Sequence, residues 1–288
     1  MGAARHPTPS RRGGCLDASN AAGESASSLH TFYFPSCFPS CTHTNRCSHP
    51  HHQGSTAVKF DTLAMAMYHA GVLQQAVDAH KLIELLGRAR GRRRFPEVAA
   101  LWQGAACAFA LQPESLAVLA APLRAALEAV GSELSAATLG DARRLVRVHH
   151  AMALLCPGHH LLQDAELAQC MSTLERERVG PTTPAREYVV DVVKQLQKTG
   201  VLHSARLGPV SLLPASALRV DAVVQRKHGP PVAVVCDGAW QWLTDEGARR
   251  VPSGMAVLHR ALAGALGYEY AVVDVASPVE QLRSAMGD

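Results

Sequence analysis

Two carboxylates on adjacent apolar runs offer the plainest prospect of chemistry in this sequence. Asp221 stands near the start of Arg219-Val220-Asp221-Ala222-Val223-Val224, and Asp237 follows Val232-Ala233-Val234-Val235-Cys236. Both runs are short and β-branched, and Gln225 to Pro231 between them carries Gly-Pro-Pro, so the pair reads as a hairpin. Antiparallel pairing sets the start of one strand beside the end of the next, which puts the two acids at one edge of a sheet. Carboxylates so placed can hold a divalent metal that activates water for phosphodiester cleavage. The competing role is structural: Asp237-Gly238 makes a turn, and Asp221 accepts hydrogen bonds from backbone or from a nearby arginine.

A second group of residues is suited to anions. Arg88-Ala89-Arg90-Gly91-Arg92-Arg93-Arg94 places five arginines in seven residues between two helical runs, where they can contact phosphates and release counterions. The same loop could instead be a solvated linker or a protein-docking surface. Arg143, Arg144 and Arg147 on one helix, and Arg226-Lys227-His228 in the hairpin, extend the positive surface. The net charge of +4, from 28 basic and 24 acidic residues, implies no nucleic acid by itself, so the case depends on clustering. His149-His150 and His159-His160 lack a nucleophile or metal-ligand spacing and read as surface or capping histidines. No Gly-rich phosphate loop supports phosphoryl transfer, and neither a cofactor nor a bound metal is expected.

The elements that must position these residues follow from composition and period. Apolar residues make up 48% of the 288, aromatics only 5%, and Ala and Leu dominate, which favours a largely helical body. No apolar run is long enough for a membrane span. Residues 1 to about 58 lack any period and are rich in Ser, Thr, Pro, Gly and His, so they read as a disordered tail with the acid-poor, Arg-bearing bias of an organelle transit peptide. Cys37, Cys41 and Cys47, with His43, His49, His51 and His52, lie close enough to suggest zinc, yet nothing around them would fold about a metal. Cys107, Cys156, Cys170 and Cys236 read as buried small hydrophobes.

Residues 59–200 carry helical spacing, with Leu63, Ala66, Ala70, Leu73 and Val77 on one face and further runs at about 97–111, 115–130, 139–155, 162–178 and 185–199. Pro122 should kink or divide the run in which it falls. Helices of this length joined by short breaks suggest stacked helical hairpins. Residues 201–218 read as a linker, and 219–288 as strand, strand, helix and strand, finished by a helix after Pro278. The fold class is α+β overall. A strand–helix–strand unit returning to one sheet implies a parallel pair.

Within 219–288 the order of motifs resembles a RAP domain. The residues that carry it are Val220-Asp221-Ala222-Val223-Val224, then Ala233-Val234-Val235-Cys236-Asp237-Gly238, then Gly254 and Leu258-His259-Arg260-Ala261-Leu262 through Gly267-Tyr268. Upstream, Leu139 to Ala151 is similar to the helix that often precedes such a domain, Val189 to Leu196 to the helix entering it, and Pro113 to Ala117 to the start of an octotricopeptide-type repeat. The resemblance therefore points to the octotricopeptide-repeat and FAST-kinase-like group of organellar RNA-binding proteins.

That resemblance implies a restriction-endonuclease-like sheet and raises cleavage again. Aligned on Asp221, the fold's second acid falls at Val235 and its lysine at Asp237, so hydrolysis is disfavoured. Where the family often has His and Phe after Asp-Gly, this chain has Gln241 and Trp242. Trp242 thus reads as core, and Trp240 as the residue able to stack on an unpaired base, a contact of about 1–3 kcal/mol. The expected function is binding of single-stranded RNA in chloroplast or mitochondrion, with other RNA-processing proteins, through Arg88, Arg90, Arg92, Arg93, Arg94, Arg226, Lys227, Trp240 and Arg260. A metal-dependent endoribonuclease using Asp221 and Asp237, and a protein-interaction scaffold, are the alternatives.

Overall fold

The computed structural model describes residues 57–131, 137–175, 184–198, 202–214, 217–226, 228–236, 241–244, 249–273 and 278–286. All of them belong to one compact unit of mixed helix and sheet. Helices α1 (Phe60–Val72), α2 (Ala79–Arg88), α3 (Phe95–Ala108), α4 (Pro113–Val118), α5 (Ala120–Glu128), α6 (Leu139–Leu155) and α7 (Asp164–Glu175) come first. They are followed by α8 (Pro184–Lys198), β1 (Ser204–Ser211), β2 (Arg219–Gln225), β3 (Val232–Cys236), β4 (Trp242–Thr244), β5 (Arg250–Pro252), α9 (Gly254–Ala265), β6 (Glu269–Val273) and α10 (Pro278–Met286). Among the described residues no helix is long and apolar enough to cross a membrane.

Side-chain acceptors start several helices by satisfying backbone donors that have no partner within the helix. Asp78 accepts from the Lys81 N–H at 3.0 Å, Thr138 from Asp141 at 3.2 Å, and Ser253 from Ala256 at 3.2 Å. The run expected over 115–130 is divided at Leu119, and Pro122 falls in the first turn of α5, where its missing N–H costs little. The first helix ends sooner than its spacing suggested. Gln74 takes a left-handed φ of 56°, so Leu73 is exposed, and the buried face is Phe60, Leu63, Ala64, Met67, Ala70 and Gly71.

Helix α3 is the axis of the helical body. Every residue from Glu97 to Cys107 is buried, as expected for a helix surrounded on all sides, and the Trp102 indole donates to the Leu123 carbonyl at 2.9 Å. Three glycines let neighbouring backbones meet beside it, α1 on α3 and α9 on α1. A Cβ at Gly71 would lie 2.1 Å from the Gly104 carbonyl oxygen, and one at Gly254 would lie 1.9 Å from that of Gly71, so α1, α3 and α9 touch backbone to backbone. Phe60 lies beneath Arg93 while Gly71 meets Gly104, so α1 and α3 run in the same direction, with α2 returning between them.

The sheet has the order β1-β2-β3-β6, antiparallel except for the parallel β3–β6 pair that α9 connects. β4 and β5 form a separate two-stranded ribbon. Ala222, Val224, Val232, Val234, Ala271 and Val273 form one apolar face, packed on Val189, Val192, Val193 and Leu196 of α8 and Leu282 of α10. Two expectations are corrected here. Residues 201–218 are not a linker, because they hold β1, and Leu213, Ala217 and Leu218 sit in the helical core. The expected boundary also fails: α8 belongs to the sheet, whereas Leu258 and Leu262 of α9 belong to the core of α1–α7. Hydrophobic period marks each element's buried face but not which element covers it.

Substituting Gly254→Ala should destabilise the protein by about 1–3 kcal/mol or more, because a backbone carbonyl occupies the space of the new methyl. Gly264→Ala, on the same helix but facing open space, should be neutral or stabilising by up to about 1 kcal/mol. Urea denaturation of both variants checks this, and equal effects would contradict the packing.

Acid should weaken the fold earlier than carboxylate protonation requires. Burial lowers His259 from 6.5 to about 3, with Arg147 opposing its protonation, and lowers His149 from 6.5 to about 4, with His150 and His160 adding to the effect. The unfolded chain takes up these protons as pH falls through about 6.5, whereas the folded chain resists until about 4 and 3. This stability is therefore complete above the unfolded value and is lost progressively below it. Between about pH 7 and pH 5 the unfolding free energy should drop by about 2 kcal/mol for each of the two histidines, on the order of 4 kcal/mol together. A urea midpoint unchanged over that range would refute this.

Candidate functional site

The hairpin acids come first. Strands β2 and β3 pair with Ala222 opposite Val234, which carries Asp221 toward the end of β3 as an antiparallel hairpin requires. The carboxylate is buried, and its Oδ2 accepts the Cys236 N–H at 2.7 Å. On the far side of the same residue the Gln241 amide donates to the Cys236 carbonyl at 3.1 Å. Both backbone groups at the end of β3 are thus held by side chains. Val235 is buried in an apolar cluster with Val210, Val220 and Ala233. Asp237 lies outside the described residues, as do Lys227 and Trp240.

Asp221 therefore holds backbone, the structural one of its two expected roles. Asp221→Ala should cost about 1–3 kcal/mol by removing the acceptor of a buried N–H, with Asp221→Asn costing less because its amide oxygen can still accept. Thermal unfolding of the two variants measures this; an Ala variant as stable as the native protein would contradict the assignment.

The fold divides the arginine run into members that brace it and members that line a pocket. Arg88 ends α2 and pairs with Glu84 at 2.5 Å on the surface. Arg93 lies over the Phe60 ring, 5.2 Å from its centroid, and reaches the Ala125 carbonyl at 3.4 Å. Arg94 precedes α3 and is tied to Glu97, whose Oε1 accepts from its guanidinium at 2.6 and 2.8 Å while Oε2 accepts its backbone N–H at 3.2 Å. Arg90 and Arg92 extend from the turn on either side of Gly91, which takes a φ of 104° that suits glycine.

A pocket of about 590 Å³ opens here, with Lys59, Arg90, Arg92 and Arg94 as its cations and Asp61 and Glu97 as its acids. A short parallel bridge builds it. The Arg90 N–H donates to the Val58 carbonyl at 2.9 Å and the Phe60 N–H donates to the Arg90 carbonyl at 3.0 Å, drawing the segment before α1 onto the arginine loop. The first turns of α1 and α3 both contribute to the lining, so two positive helix ends add to the field. Lys59 was missed by sequence reasoning, since nothing in its neighbourhood signals that Arg90 will pair beside it.

The remaining candidates disperse. Arg226 is not a free surface cation: its side chain is 12% exposed, its Nε donates to the Pro230 carbonyl at 3.1 Å, and it pairs with Glu269. Arg147 also turns inward, donating from Nε to the Ala217 carbonyl at 2.8 Å and from Nη1 to Gln103 Oε1 at 3.3 Å, and burial pulls its pKa down to about 10. Arg144 pairs with Asp141 at 3.2 Å and lies over the Tyr68 ring. Arg260 is exposed on α9, on the side of Tyr270, whose hydroxyl is pushed up mainly by burial and held back by Arg260. His149 is buried rather than superficial, and its Nδ1 accepts the Leu162 N–H at 3.1 Å. Among the described residues no three His, Cys, Asp or Glu side chains are placed to share a metal. Cys107, Cys156, Cys170 and Cys236 are buried free thiols.

The basic pocket lies at the first turn of α1, and the contact with α9 lies near its last turn, roughly 16 Å along the helix. The basic pocket on the helical body is thus separate from the Asp221 corner of the sheet. The chain matches no known protein family, and no curated protein is significantly similar to it.

Proposed function

We propose that the protein binds single-stranded RNA and that the pocket between the starts of α1 and α3 is its main phosphate contact. The observation that carries this reading is the pocket itself, which gathers Lys59, Arg90, Arg92 and Arg94 into one concavity. Such surfaces neutralise phosphates and release counterions, giving affinity without base selectivity. The order β2, β3, α9, β6, with β6 returning parallel to β3, supports the resemblance of residues 219–288 to a RAP domain and to the restriction-endonuclease-like fold. On this reading the chain acts in RNA processing, transcript stability or translation in chloroplast or mitochondrion, beside other RNA-processing proteins. The carboxylate of Asp221 on the Cys236 N–H, and Val235 in its apolar cluster, favour binding over hydrolysis.

Gel shifts with single-stranded RNA over a salt series test it. Affinity should fall steeply with salt, and Arg90→Gln with Arg92→Gln should flatten the logarithmic slope by about 0.7 for each phosphate that is no longer neutralised. Absence of salt-sensitive binding, or a double variant that binds like the native protein, would overturn the reading and favour a protein-interaction scaffold.

A further inference from the structure

We propose that His149 is an acid-released clasp on the loop between α6 and α7. The ring projects from the second half of α6, and its Nδ1 accepts the Leu162 N–H at 3.1 Å in the protein interior. An acceptor at Nδ1 means that the neutral ring carries its proton on Nε2. A second proton has only Nδ1 to go to, where it would set one donor against another. The clasp therefore holds only while the imidazole is neutral.

The surroundings keep it so. His150 on the same helix lies edge-on with its ring centroid 5.5 Å away, and His160 on the loop lies 5.8 Å away. Burial and these two imidazoles oppose protonation of His149, while Asp164 at the start of α7 favours it. The His150 Nε2 is itself buried and makes no hydrogen bond. Arg124 of α5, with its partners Glu128 and Glu166, and Glu114 of α4 beside Cys156 are the charged groups around the ends of the loop.

The loop can lift without taking α7 with it. Residues 157–160 are exposed, Gly158 turns with a φ of 89°, and the burial is concentrated in Leu161 and Leu162. Glu166 accepts the Gln163 N–H at 2.7 Å, and Cys170 and Leu174 anchor α7 in the core. Loss of the Leu162 bond thus uncovers two leucines at a local opening rather than by unfolding the chain.

Hydrogen exchange of the full chain, corrected for the intrinsic effect of pH on amide exchange, measures that opening. A freed ring takes up its proton below about 6.5 and a clasped ring only below about 4, so the opening equilibrium of the Leu162 amide should rise about tenfold per pH unit between those values. The same amide should exchange well ahead of those of α3 throughout. His149→Asn supplies an amide oxygen in place of Nδ1 and does not titrate, so its loop should show a flat profile. Proton–nitrogen NMR of the native imidazoles should show the Nε2–H form of His149 near neutral pH. The Nδ1–H form, a flat native profile, loop amides exchanging in step with α3, or an Asn variant that keeps the native slope would each overturn the proposal. The tautomer and the native profile are read without the variant, so they decide the matter even where His149→Asn does not fold.

Discussion

The backbone contact among Gly71, Gly104 and Gly254 is the constraint on which the arrangement of the other elements depends. Each of these positions has a neighbouring carbonyl group where a Cβ would stand, so any other residue would push the helices apart. With the side chains absent, α1 and α9 both reach α3 at its deeply buried C-terminal half. Gly254 is the first residue of α9, and α9 is also the crossover between β3 and β6. Helix α9 therefore belongs to both the sheet and the helical body, and Leu213, Ala217 and Leu218 between β1 and β2 join them at a second place.

Polar groups close this joint, and they do so without a carboxylate partner for Arg147 among the described residues. A buried guanidinium is costly unless its donors are used. Arg147 directs its donors to the Ala217 carbonyl and to Gln103, which in turn donates to the sulfurs of Cys107 and Met255 at 3.3 and 3.0 Å. With a pKa of about 10 the guanidinium stays charged at neutral pH, and its field helps to keep His259 neutral. One cation from α6 thus bonds the loop before β2 while Gln103 of α3 meets Met255 of α9. The residues around the glycine contact lock the orientation that the glycines permit.

At the far end of α1 the chemistry is of another kind. Arg94 and Arg93 serve the fold by fixing the start of α3 and covering Phe60, and the bridge between residues 58–60 and Arg90 holds the loop open toward solvent. Of the pocket cations, Arg94 is fixed by the buried Glu97 carboxylate and the backbone of Arg90 by the bridge, while the exposed side chains of Arg90 and Arg92 extend from the turn.

Much of this architecture was legible in the chain itself. The spacing over 139–155 marked α6, the β-branched runs marked β2 and β3, and Gly267 marked the end of α9, because these signals arise within one turn or one strand. Strand β1 was not legible: Ser204–Ser211 carries Gly208 and Pro209, is half exposed, and becomes a strand through its pairing with β2. Nor could local pattern distinguish Arg226 from Arg260, because Glu269, which pairs with Arg226, comes into reach only on folding, whereas the Glu97 that holds Arg94 lies three residues along the chain. The sequence by itself determined most of the helices, the strands β2, β3 and β6, and where the positive charge is concentrated. Tertiary structure alone decided which arginines line the pocket, that Lys59 joins them, and that Asp221 holds backbone, because each depends on a partner far along the chain.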